Sequence, residues 1–139
     1  MKKIIAGFVI LFSSYAQAGS LSCSDEVEVM AVNGVGVEKS ESIKLKPGKN
    51  MIQIRYVELF DDEYTDSSSW YRSKPAFVSF NVESGDKYFL DVPEYSTLSD
   101  AEQFDTDPKI ALFNNAGDEK NVKVLSVSEL VNALSLSLI

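Results

Sequence analysis

Apolar residues recur at every second position in run after run of this chain, and a period of two places them on one face of a β-strand. Met51–Phe60 is the longest run, with Ile52, Ile54 and Tyr56 alternating against Gln53, Arg55 and Val57. In Asp25–Val32, Val27, Val29 and Ala31 share one face, and Glu26 and Glu28 the other. Pro75–Val82 repeats the pattern through Ala76, Val78, Phe80 and Val82, and Lys87–Val92 through Tyr88, Leu90 and Val92. Turn residues punctuate the runs. Asn33-Gly34 suits a two-residue hairpin, because both residues tolerate positive φ. Pro47-Gly48 turns the chain after a short extended piece at Ser42–Lys46. Ser84-Gly85-Asp86 separates two runs, so 75–82 and 87–92 are expected to pair as a hairpin. A last hairpin is expected between Lys109–Phe113 and Asn121–Leu125, across Asn114–Lys120.

Two segments carry helical signals instead. Ser99 and Glu102 have capping-box spacing, which predicts a turn or two over Ser99–Phe104. Ser126 and Glu129 have the same spacing. After them, Val127, Leu130, Val131, Leu134 and Leu138 form one apolar stripe of a helix. The expected fold is therefore mainly β: an antiparallel β-sandwich or open barrel with one short helix and a C-terminal amphipathic helix covering it.

The N-terminus follows a different logic. Lys2 and Lys3 precede an apolar stretch, Ile4–Phe12, and Ala16-Gln17-Ala18 is a small-residue cleavage site. These are the parts of a secretory signal peptide. The stretch is too short to span a bilayer, which takes about 20 apolar residues. Cleavage is expected between Ala18 and Gly19, giving residues 1–18 as signal and 19–139 as a single β-rich domain. No second long apolar run follows, so the mature chain is expected to have no transmembrane segment. Cys23 lies just past the cleavage site, but Ser20, Leu21 and Ser22 before it do not make a lipobox.

Charge and residue usage exclude several functions. Without Lys2 and Lys3 the chain carries 11 basic and 21 acidic residues, a net charge of −10. Such a surface disfavours nucleic acid and anionic lipid, which call for basic patches. Histidine is absent, which removes Ser-His and Cys-His pairs, the commonest general base and the commonest zinc ligand. Carboxylate pairs such as Asp91 and Glu94, or Asp105 and Asp107, have nothing in the sequence to set them across a cleft. No catalytic residue, metal ligand or cofactor is assigned, and the chain is not expected to be an enzyme. One cysteine cannot form an internal disulfide, so Cys23 is read as an inert thiol or an intermolecular link.

Two loops offer sites. Asp61-Asp62-Glu63-Tyr64-Thr65-Asp66 is acidic but lacks the glycine and spacing of a calcium loop. Trp70 and Tyr71, with Tyr64 nearby, group aromatic side chains beside a serine-rich segment. Loop aromatics stack on sugars and anchor protein partners. Tyr64, Trp70 and Tyr71 are accordingly the expected binding residues. The competing reading is that Trp70 caps the core. A free sheet edge is a further route to a partner, since it needs no special side chains.

The segments Val29-Met30-Ala31-Val32-Asn33-Gly34 and Leu45-Lys46-Pro47-Gly48-Lys49-Asn50, leading into Ile52-x-Ile54-Arg55-Tyr56, resemble the DUF2057 family (UPF0319, YccT-like exported proteins). Pro75-x-x-Val78-x-Phe80 and Tyr88-x-Leu90-x-Val92-Pro93 are similar to it as well. The resemblance covers roughly residues 21–127. It implies a periplasmic or envelope location in Gram-negative bacteria and brings no catalytic residues with it. The resemblance implies longer members with a further charged C-terminal region, whereas the sequence here ends at Leu138-Ile139. The first half also resembles PEGA-type β-modules. Together these readings lead to an envelope accessory protein that binds another protein, or alternatively cell-wall or surface glycan.

Overall fold

Ile52, Ile54 and Tyr56 are each fully buried, and the strand that carries them organises half of the molecule. The computed structural model describes residues 19–38, 42–61 and 68–138. The expected signal segment, with Ala18, and the loop residue Tyr64 lie outside them. The strands are β1 (Gly19–Cys23), β2 (Val27–Val32), β3 (Val35–Gly36), β4 (Ile43–Leu45), β5 (Gly48–Asp61), β6 (Ser68–Arg72), β7 (Ala76–Val82), β8 (Asp86–Asp91), β9 (Ala111–Phe113), β10 (Glu119–Lys120) and β11 (Lys123–Ser126). A short helix α1 (Leu98–Ala101) runs into a 3-10 turn (Glu102–Asp105), and helix α2 (Val127–Ser137) follows β11.

Two sheets form a sandwich, not closed into a barrel. The first has the order β10-β9-β8-β1-β4, the second β11-β7-β5-β2-β3, with β6 added to β5. Leu21, Tyr88, Leu90 and Leu112 of the first sheet share one buried cluster with Ile52, Ile54, Val78 and Phe80 of the second. Ala101 and Phe104 belong to the same cluster. All pairings are antiparallel except β1 with β8, which run parallel from Gly19↔Asp86 to Cys23↔Leu90.

The Asn33-Gly34 hairpin forms as expected, with Val32 opposite Val35 and both turn residues at positive φ. Asn33 also reaches across to β5. Its Nδ2 donates to Asn50 Oδ1 at 3.0 Å, and its Oδ1 accepts from the Met51 N–H at 2.8 Å. Asn50 is fully buried, and its own amide donates to the carbonyls of Lys46 and Gly48. A single side chain thus ties the hairpin to the Pro47-Gly48 turn.

Four expectations are corrected. Strands 76–82 and 86–91 do not pair as a hairpin. β7 lies between β5 and β11, and β8 lies between β1 and β9 in the other sheet, so the turn at Glu83–Gly85 crosses the sandwich. The last hairpin is β9–β10, whereas β11 crosses to pair with β7. In β2 the register shifts between Val29 and Ala31, which sets Val32 opposite Ile52 and Ala31 opposite Gln53. Val27, Val29 and Val32 therefore supply the core face, and Ala31 does not. The short helix starts at Leu98, and its N-cap is Thr97, whose hydroxyl accepts from the Asp100 N–H, so Ser99 caps nothing.

Helix α2 forms with its capping box complete: Ser126 Oγ accepts from the Glu129 N–H, and Glu129 accepts from the Ser126 N–H. Its apolar stripe does not cover the core. Val131 and Leu134 are more than half exposed, and no residue of the helix is buried.

Candidate functional site

β5 is long enough to take two partners in succession. Its first half pairs with β7, from Gly48↔Val82 to Ile54↔Ala76, and its end pairs with β6, from Val57↔Arg72 to Asp61↔Ser68. Arg55 and Tyr56 between these ladders face three residues, Ser73, Lys74 and Pro75. The extra residue makes a bulge, which bends a strand away from its sheet. Proline has no N–H to give the ladder. Ser73 repairs the gap: its Oγ accepts from the Tyr56 N–H at 2.8 Å, and its N–H donates to the Tyr56 carbonyl at 2.9 Å. Beyond the bulge, β5 and β6 run on as a two-stranded ribbon.

Alternation sorts the ribbon's side chains. Leu59 stands directly opposite Trp70, and Val57 opposite Arg72, on one face. Trp70 is 60% exposed and Leu59 43%. The Arg72 guanidinium sits 5.7 Å from the Trp70 ring centre, within reach of a cation–π contact. On the opposite face, the Tyr71 ring lies tilted against Tyr56, centres 6.1 Å apart, and its hydroxyl donates to Asp105 Oδ1 at 2.9 Å. The same Asp105 oxygen accepts from the Lys74 N–H at 2.7 Å. Burial, then the Asp105 hydrogen bond and charge, pushes the Tyr71 hydroxyl well above the ordinary tyrosine range.

Trp70 and Tyr71, adjacent in sequence, are thus separated by the ribbon. Trp70 faces solvent and does not cap the core. Tyr71 ties the ribbon to the 3-10 turn through Asp105. Tyr64 lies outside the described residues. Leu59 and Arg72 join Trp70 on the open face. The sequence held the signal for both, since Arg72 is two residues from Trp70 and Leu59 belongs to the alternation of Met51–Phe60. The outer edge of β6 has no strand partner among the described residues.

Asp105, part of an acidic pair in the sequence, is engaged by Tyr71 and Lys74. Among the described residues, no group of three or more acidic or cysteine side chains could hold a metal ion. No described helix is long and apolar enough to cross a membrane.

These features define a small β-sandwich protein with an exposed aromatic ribbon. The chain belongs to the family described as "Uncharacterized protein conserved in bacteria (DUF2057)", whose profile matches residues 20–135, in agreement with the resemblance read from its strands and turns. Among its relatives are a UPF0319 protein of Shewanella baltica, 29% identical over 125 residues, and one of Shewanella oneidensis, 27% identical over 125. Each alignment takes in 86% of this chain and 55% of the relative. A UPF0319 protein of Vibrio parahaemolyticus is 25% identical over 135 residues, 91% of this chain and 67% of the relative. The chain spans about half the length of the Shewanella relatives. No solved structure matches it.

Proposed function

We propose that this chain is an exported accessory protein of the bacterial envelope that acts without catalysis, binding another protein through the β5–β6 ribbon. The observation that carries this reading is the Trp70–Leu59 pair. Two large apolar side chains lie side by side in solvent, on strands held firmly by the Tyr71–Asp105 tie. Tryptophan and arginine dominate the residues that anchor protein partners. The unpaired edge of β6 adds backbone donors and acceptors that an incoming strand can use. The signal-like N-terminus supports export.

Crosslinking of tagged protein in intact envelope, read by mass spectrometry, tests the reading. One enriched protein is expected, and Trp70→Ala should lose it while keeping its Tm within about 2 °C, because the side chain is exposed. Equal capture by wild type and Trp70→Ala would remove the ribbon from consideration. Sedimentation with peptidoglycan or polysaccharide, abolished by the same substitution, would favour glycan, for which the Trp70 face is an equally suitable platform. Export is checked separately, by the N-terminal residue of the protein recovered from the periplasm, expected to be Gly19.

A further inference from the structure

The outward face of the second sheet carries a charge opposite to that of the molecule. Register decides which side chains share it. Lys49 pairs with Asn81, Met51 with Ser79, and Lys123 with Ser79, so all five stand on one face. Gln53, Phe77 and Leu125 continue that face, and Glu28 and Arg55 join it from the β2–β5 pair. Where β5 runs beside β2 and β7, before the ribbon, Glu28 is the one acid on this face, and it is bridged to Arg55 at 2.9 Å and 3.1 Å. Lys49 and Lys123 make no ion pair among the described residues. On a chain of net charge −8, this face thus has two uncompensated cations.

They frame a groove of about 370 Å³, lined also by Ser79, Asn81 and Asn121, with no aspartate or glutamate in its wall. The two lysines flank β7 on opposite sides. Two strand spacings of about 4.8 Å, with an offset of two residues along β7, set their backbones roughly 12 Å apart. Between them lies Ser79, only 8% exposed, and its Oγ has no hydrogen-bond partner. A buried hydroxyl without a partner costs stability, and such groups persist where a ligand satisfies them. Its register neighbours Met51 and Lys123 are long and flexible, so they can swing aside to admit one.

We propose that this groove is a second binding site, independent of the ribbon, for an oxyanion held between Lys49 and Lys123 above Ser79 and Asn81. The ammonium groups supply charge, the asparagine amides and the serine hydroxyl supply directed donors, and the absence of acids removes repulsion. Phosphate and carboxylate share the required chemistry.

Amide shifts of the purified protein, followed by NMR during titration with inorganic phosphate, glucuronate and neutral glucose, test the site. Saturable shifts confined to Ser79, Asn81, Asn121 and Lys123 are expected with phosphate, glucuronate or both, and whichever acts names the anion. Replacing both lysines (Lys49→Met with Lys123→Met) should weaken binding about tenfold. Ser79→Ala should weaken it several-fold while leaving Tm unchanged or raised, since it removes an unsatisfied group. A residue there for packing alone would not combine lost binding with undiminished stability. No saturable shift with either anion, equal shifts with glucose, or undiminished binding in these variants would overturn the proposal.

Discussion

At the scale of single residues, Glu58 is the group most at odds with its surroundings. It occupies β5 where the ribbon begins, and its Oε2 is buried without a partner. Desolvation, then the charges of Glu26 and Glu94, raises its pKa above 4.5. A raised pKa means that the folded chain holds this proton more tightly than the unfolded one. The resulting stability is present below pH 4.5 and is lost as the pH rises through the folded value. At neutral pH the ionised carboxylate is therefore a burden. Glu58→Gln is expected to raise Tm at pH 7 by about 1–2 °C, a small gain because the group is partly solvated. The gain should vanish at pH 4, and thermal melts at the two values check it. Cys23 is a second misplaced titratable group, for burial pushes its thiol up to about 12. Thiolate is the reactive form. Maleimide or iodoacetamide should therefore label the native protein at pH 8 roughly 100-fold more slowly than the urea-unfolded chain. Fast native labelling would show that β1 opens.

Among the elements, the β6–β7 bulge matters most, because it decides where the ribbon points. Pro75 removes one ladder donor, and Ser73, only 6% exposed, makes up for it with its side chain. Ser73→Ala strands the Tyr56 N–H in the interior. An unsatisfied buried donor costs about 1–3 kcal/mol, which for a domain of this size lowers Tm by roughly 5–10 °C. Ser73→Thr keeps the hydroxyl and should lose much less. Hydrogen exchange at the Tyr56 amide locates the effect, and unchanged protection there in Ser73→Ala would show that the bend does not depend on this bond. The sequence gives no hint of this device. A serine two residues before a proline reads as loop, and its role exists only once β5 lies beside it.

At the scale of the whole molecule, the same limit explains what could and could not be read in advance. Period two in β5 and β7 states which face is buried, and it did so at Ile52, Ile54, Val78 and Phe80. It does not state which strand lies alongside. Val82 and Tyr88 point into the core whether the turn between them closes a hairpin or crosses the sandwich, so the arch was invisible to alternation. Helical spacing in α2 was legible for the same local reason, while its failure to cover the core was not, because coverage depends on where β11 delivers it. Trp70 stood out by residue type, but its separation from Tyr71 follows from strand pairing. The crossing makes β1 a pivot, flanked by β4 on one side and parallel β8 on the other. Its first residue, Gly19, sits where an added Cβ would come within 2.8 Å of the Asp86 carbonyl oxygen and 2.9 Å of Val82 Cγ1. A backbone oxygen held in a ladder cannot swing away as a lysine tip would. Gly19→Ala must therefore push β1 from β8 or displace Val82 at the arch, and overpacking of this kind costs about 1–3 kcal/mol. Gly36→Ala is the matched control, since its nearest neighbour is the Met30 carbonyl oxygen at 3.9 Å, an ordinary contact. Urea unfolding should show a lower midpoint for Gly19→Ala at unchanged m, and a shift within about 0.5 kcal/mol for Gly36→Ala. Equal stability of the two variants would mean that β1 joins the sheet less tightly than its parallel register with β8 requires.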